Sequence, residues 1–129
     1  MRGLVLGFMI AAANCATSAA GEPCPVGSLN YDDIAAAISS APSCPAAYEV
    51  MNACLFNASG DVGFAKAVED KCEPLFLPRL TPAQRRGYAM AGARCLNKYA
   101  GEEGSMYVSF AATCKAGVAV NYARRFAGR

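Results

Sequence analysis

Apolar side chains recur every three to four residues along most of this chain, in segments separated by short breaks rich in Gly, Pro, Ser and Asn. That period belongs to helices with one buried face, and no convincing pair of strands accompanies it. The reading is an all-α domain of about five helices. Asn30 is placed to cap a short first helix, with Asp32 and Asp33 in its first turn, where carboxylates favour the positive pole. Ile34 and Ile38 share one face of it, and Ala41-Pro42 ends it. A second helix is expected from Pro45, proline being well tolerated in a first turn, to about Asn57. Tyr48, Met51 and Leu55 fall on its common face. Ser59-Gly60-Asp61 forms the next break.

The third helix, about residues 62–73, aligns Phe64, Val68 and Cys72 and leaves Lys66, Glu69 and Asp70 off that face; Pro74 and Pro78 are expected to close it. Thr81-Pro82-Ala83-Gln84 is a capping-box pattern, so a fourth helix should start there and run through Tyr88, Ala91 and Cys95 to Tyr99. Gly87 and Gly92 lie inside it and mark a close approach of another helix. After Gly101-Glu102-Glu103-Gly104, Ser105 is read as the cap of a fifth helix reaching about Phe126, with Val108, Ala111, Ala112, Lys115 and Val118 at helical spacing. So short a connection makes the last two helices an antiparallel hairpin.

The first twenty residues follow another pattern. Met1-Arg2 precedes an uncharged apolar run from Gly3 to Ala13, too short for a membrane span but of the length of a signal-peptide core. Small residues at Ser18-Ala19-Ala20 place the cut after Ala20. Cys15 sits where a lipoprotein carries its modified cysteine, but Asn14 before it and Ala12 three residues before it do not fit that signal. Cys15 is therefore read as part of the discarded peptide, with lipoprotein as the alternative. The protein expected is exported, periplasmic or secreted.

Removing residues 1–20 leaves 109 of the 129 residues, enough for one domain. It also leaves six cysteines, Cys24, Cys44, Cys54, Cys72, Cys95 and Cys114. An even number in a short exported chain reads as up to three disulfides. Cys44 and Cys54 at the two ends of a continuous helix would stand about 15 Å apart, beyond the roughly 7 Å a disulfide spans, so each should reach another helix. Residues 21–29 form an irregular arm, tethered if Cys24 is bridged.

Charge and composition exclude more than they identify. Eleven basic residues face ten acidic ones once Arg2 is gone, which argues against nucleic acid as a partner. Arg124, Arg125 and Arg129 are read as cations meeting the negative pole of the last helix. The chain has no histidine and no tryptophan. No Ser-His or Cys-His nucleophile can be assembled, there is no Cys-x-x-Cys pair, and Glu102 and Glu103 are too close in sequence to flank one glycosidic bond. Neither an enzyme nor a metal or cofactor protein is expected.

The order of signals resembles a known family. Met51-Asn52-Ala53-Cys54 is similar to the Met-Asn-x-Cys motif of the LprI-like lysozyme-inhibitor family of bacterial envelope proteins. Leu80-Thr81-Pro82-Ala83-Gln84-Arg85 resembles that family's Leu-x-x-Ala-Gln-Arg helix start. Cys95 follows Gln84 at the family's spacing, and Gly104-Ser105 and Cys114 match its Gly-Ser turn and final cysteine. The resemblance covers roughly residues 44–126. The chain departs from it at Gly87, where the family has tryptophan, at Ala91-Gly92 and at Tyr122, and Cys24 and Cys72 are additions.

The implied organisation is a signal peptide (1–20), an arm with a short helix (21–43) and a helical disulfide-rich domain (44–129). The implied partner is a lysozyme-type muramidase, and the implied function is its inhibition by a binding protein. Candidate contacts are Glu102, Glu103 and Ser105 on an acidic loop, which suits the basic rim of many lysozyme clefts. Tyr107 or Tyr99 would act as aromatic anchor; alternatively, Arg85 or Arg86 would approach a catalytic carboxylate. The alternative is a structural or chaperone-like envelope module that binds through its apolar helix faces.

Overall fold

A computed structural model describes residues 22–128. The expected signal peptide, with Cys15 and the cut after Ala20, lies outside these residues. The described chain is all-helical, with five α-helices: α1 (Tyr31–Ser40), α2 (Cys44–Ala53), α3 (Asp61–Phe76), α4 (Pro82–Tyr99) and α5 (Ser105–Phe126). A single 3₁₀ turn, Leu77–Arg79, joins α3 to α4.

The caps explain where most helices begin. Asn30 Oδ1 accepts from the Asp32 and Asp33 amides at 2.8 and 3.4 Å. The Ser43 hydroxyl accepts from the Ala46 amide, which starts α2 at Cys44 with Pro45 in its first turn. Both halves of the capping box form at α4: Thr81 Oγ1 accepts from the Gln84 amide, and Gln84 Oε1 accepts from the Thr81 amide.

Three helix boundaries differ from the sequence expectation. α2 ends at Ala53 rather than near Asn57, because the amides of Phe56 and Ala58 turn to the carboxylate of Asp61 and Asn57 adopts a positive φ of 55°. α3 is not closed by Pro74; it continues through it to Phe76. Pro74 deprives only the Asp70 carbonyl of its amide partner, one turn from the helix end. Burying Phe76 completely, against Tyr88 and Tyr122, favours keeping that turn. Ser105 is not the cap of α5 but its first residue. The cap position is Gly104, whose φ of 115° a side chain would resist, and no side chain caps the helix.

α3 and α5 form the centre, packed against each other, with α1 and α2 closing over the other side of α3. The large apolar side chains buried completely are Ile34, Ile38, Met51, Phe64, Val68, Phe76 and Val120, and the α5 face contributes Ala112, Ala116, Ala119 and Ala123. α4 lies at the margin of this core, which it meets through Tyr88. It packs chiefly on α5 and buries only Cys95. Its Gly87 is where the two helices come close, since a Cβ there would meet the Tyr122 hydroxyl at 3.2 Å, whereas Gly92 has ordinary room beside Lys115.

The disulfides are Cys24–Cys54, Cys44–Cys72 and Cys95–Cys114, with Cα separations of 4.8, 5.0 and 5.6 Å. Cys44 and Cys54 do not pair with each other. Cys44 reaches α3, but Cys54 reaches the N-terminal arm rather than a helix, which pins that arm to the end of α2. Disulfides belong to oxidising, extracytoplasmic compartments. Among the described residues no helix is long and apolar enough to cross a membrane.

Candidate functional site

The connection between α4 and α5 is a sharp, rigidly mounted tip. The Ala100 amide donates to the Asn97 carbonyl and the Glu102 amide to Tyr99, ending α4, and the Tyr107 amide donates back to Gly104 as α5 begins. Glu102, Glu103 and Ser105 are exposed on this tip, and Tyr107 is half-buried. The Tyr99, Tyr107 and Phe110 rings form a cluster with centroids 5.8 to 6.3 Å apart. Lys98 lies over the Tyr99 ring at 5.2 Å. The Cys95–Cys114 bridge clamps the hairpin one to two turns behind.

Beside the tip, α3, α4 and α5 enclose an apolar pocket of about 400 Å³. It exists because α4 packs mainly on α5 and meets α3 chiefly at its start, where Tyr88 touches Glu73 and Phe76. Facing positions are small (Ala65, Ala100, Ala111, Ala112), so the gap between α3 and α4 is left open. Val62, Leu96 and Val108, each 45 to 52 % exposed, form its rim, and Tyr99, Glu102 and Tyr107 line the same pocket. A second pocket of about 300 Å³ continues along the cleft and shares Glu69, Leu96 and Lys115 with the first.

The polar groups of this cleft are matched in pairs. Lys115 lies 3.6 Å from Glu69, and Lys66 pairs with Asp70. Burial pushes the Glu69 carboxyl above its ordinary value, and the Lys115 ammonium opposes that shift. At the far end the Tyr88 hydroxyl donates to Glu73 at 2.8 Å. Burial, then that hydrogen bond, holds the Tyr88 proton well beyond the usual phenol range. Among the described residues no three metal-ligating side chains converge.

The sequence-predicted contacts therefore divide. Glu102, Glu103, Ser105, Tyr107 and Tyr99 stand together at the tip. Arg85 and Arg86 do not join them, because they lie at the opposite end of α4, about 25 Å away at 1.5 Å per residue. The six cysteines are all engaged in bridges. Sequence reasoning missed Glu69 as a cleft residue, since it sits one step off the buried Phe64–Val68–Cys72 face of α3. It also missed Asp61 and Ser109, both fully buried, whose hydrogen bond at 2.6 Å ties the start of α3 to α5. Comparison with protein-family models, with curated proteins and with solved structures found no match.

Proposed function

We propose that this chain is a binding protein of the cell envelope that inhibits a lysozyme-type muramidase through the α4–α5 tip. The observation that carries the reading is the acidic pair Glu102-Glu103, exposed beside an aromatic cluster and an apolar pocket on a disulfide-clamped hairpin. Carboxylates facing a basic cleft rim raise the association rate, and a half-buried tyrosine next to an apolar pocket has the character of an interface anchor. A tip already held rigid loses little conformational freedom on docking. The motifs at Met51–Cys54 and Leu80–Arg85 support the same reading through the family they resemble. A second reading, a chaperone-like envelope module, draws support from the exposed Val62, Leu96 and Val108 and entails binding to many unfolded chains.

The test is to titrate the purified, oxidised protein into several lysozyme types digesting bacterial cell walls. Stoichiometric loss of activity against one type is expected. Tyr107→Ala should weaken it about 30-fold, the effect of losing an interface anchor, and Glu102→Lys with Glu103→Lys should slow association. Full activity of every lysozyme at micromolar excess would overturn the inhibitor reading, and capture of diverse unfolded proteins would replace it with the second.

A further inference from the structure

The hairpin has another end, and its chemistry is the opposite of the tip. Because α4 and α5 run antiparallel, with Cys95 bridged to Cys114 and the Tyr88 and Tyr122 rings 5.0 Å apart, the start of α4 lies beside the end of α5. That register puts Arg85 and Arg86 at the same end of the hairpin as Arg124 and Arg125. Arg79, in the 3₁₀ turn before α4, lays its guanidinium against Gly128, just past the end of α5. Five exposed arginines thus share one end of the molecule.

Fold stability does not explain this grouping. Among the described residues none of the five is in an ion pair, whereas Lys66 and Lys115 are, and Lys71 donates to the Ser39 carbonyl. Arg124 and Arg125 suit the negative pole of α5, but Arg79, Arg85 and Arg86 crowd the positive pole of α4, which has no acidic residue in its first turn. α1 shows the favourable arrangement, with Asp32 and Asp33 there. None of the described carboxylates is in an ion pair with the five. Glu73 accepts from Tyr88, and Glu22 and Glu49 line a groove that includes Arg124 alone of the five.

We propose that this arginine end docks on an anionic phospholipid bilayer. Guanidinium groups match phosphate oxygens in paired hydrogen bonds. All five are exposed, and the pockets of the described residues bring together no two of them as a cradle for a discrete small anion. A flat, continuous array of phosphates can meet all five together. Arg125 over the Phe126 ring, at 5.1 Å, adds an aromatic side chain of the kind that sits at the headgroup level. Docked this way, α5 stands with Glu102 and Glu103 at its far end, pointing away from the membrane.

The test is co-flotation of the oxidised protein with vesicles of phosphatidylcholine alone and of phosphatidylcholine mixed with phosphatidylglycerol. Salt-sensitive binding to the mixed vesicles only is expected, falling about fivefold for each arginine changed to glutamine. The fully substituted glutamine variant, folded by its helical circular dichroism, should not bind. The variant with lysine at all five positions should keep most of the binding, and Glu102→Gln with Glu103→Gln should keep all of it. Any of four results would overturn the proposal: no binding to the anionic vesicles, equal binding to neutral ones, binding indifferent to the arginines, or tighter binding to soluble polyphosphate at equal phosphate concentration.

Discussion

A carboxylate taken out of water is costly unless hydrogen bonds replace its hydration, and Asp61 has no exposed surface. Its two oxygens accept from the Phe56 amide at 2.9 Å, the Ala58 amide at 3.3 Å and the Ser109 hydroxyl at 2.6 Å. One side chain therefore ends α2, begins α3 and ties both to α5. Asp61→Ala should destabilise the fold by about 3 kcal/mol, because one buried and two part-buried donors lose their acceptor at once. Ser109→Ala should cost about half as much, and urea unfolding with an unchanged slope checks both. None of this was legible locally, since Ser59-Gly60-Asp61 reads as a simple break and the partner is 48 residues away.

Glu69 has the reverse balance. Its folded pKa is raised by burial, so the folded chain holds the proton that the unfolded chain releases. Stability must then fall as pH rises from the ordinary carboxylate value through the raised one. Glu69→Gln should flatten that slope, so the difference in thermal midpoint between variant and wild type shifts toward the variant as pH rises from 4 to 8. A parallel pair of curves would show that Lys115 fully compensates the carboxylate.

Among the elements, α4 is the one the core holds least, through Tyr88 against Phe76. It buries a single residue, Cys95, and that residue is the disulfide. α3 by contrast buries Phe64, Ala65, Val68, Cys72 and Phe76. Replacing Cys95 and Cys114 by alanine opens a loop of about 20 residues and should cost about 3 kcal/mol. The loss should appear first in α4, whose amides would exchange with deuterium well before those of α1 and α3. Uniform acceleration across all five helices would mean instead that the hairpin unfolds only with the core. Helices with strong local caps, α1 at Asn30 and α4 at Thr81, were legible in the sequence because the cap and the first turn are within three residues of each other. The boundaries that were not legible depend on distant groups: α2 is cut short by Asp61, and α3 is carried past Pro74 by the pocket that receives Phe76. The pairing of Cys54 with Cys24 was equally closed to inference, since the arm has no periodicity from which to place it.

At the scale of the whole molecule, a chain of almost balanced charge is strongly polarised along the α4–α5 hairpin. Counting charges hides this, because twelve cations and ten anions say nothing of where they stand. The polarity was nonetheless within reach of the sequence. A four-residue connection fixes antiparallel pairing, and that pairing sets Arg85-Arg86 against Arg124-Arg125 at one end while leaving Glu102-Glu103 at the other. What could not be read was that α4 would leave a cleft toward α3, which follows from how three helices pack and not from any one of them. Along α4 and α5 the two charged ends lie about 25 to 30 Å apart, about three Debye lengths at physiological salt. Groups that far apart, without a shared partner, should contribute independently. The two proposed activities must then separate cleanly. Protein held on phosphatidylglycerol vesicles should inhibit lysozyme with the affinity it has free in solution, and changing the five arginines to glutamine should leave inhibition within about twofold. Charge reversal at Glu102 and Glu103 should in turn leave vesicle binding unchanged. If vesicles instead compete with lysozyme, the two partners meet one surface, and the ends of the hairpin are not separate sites.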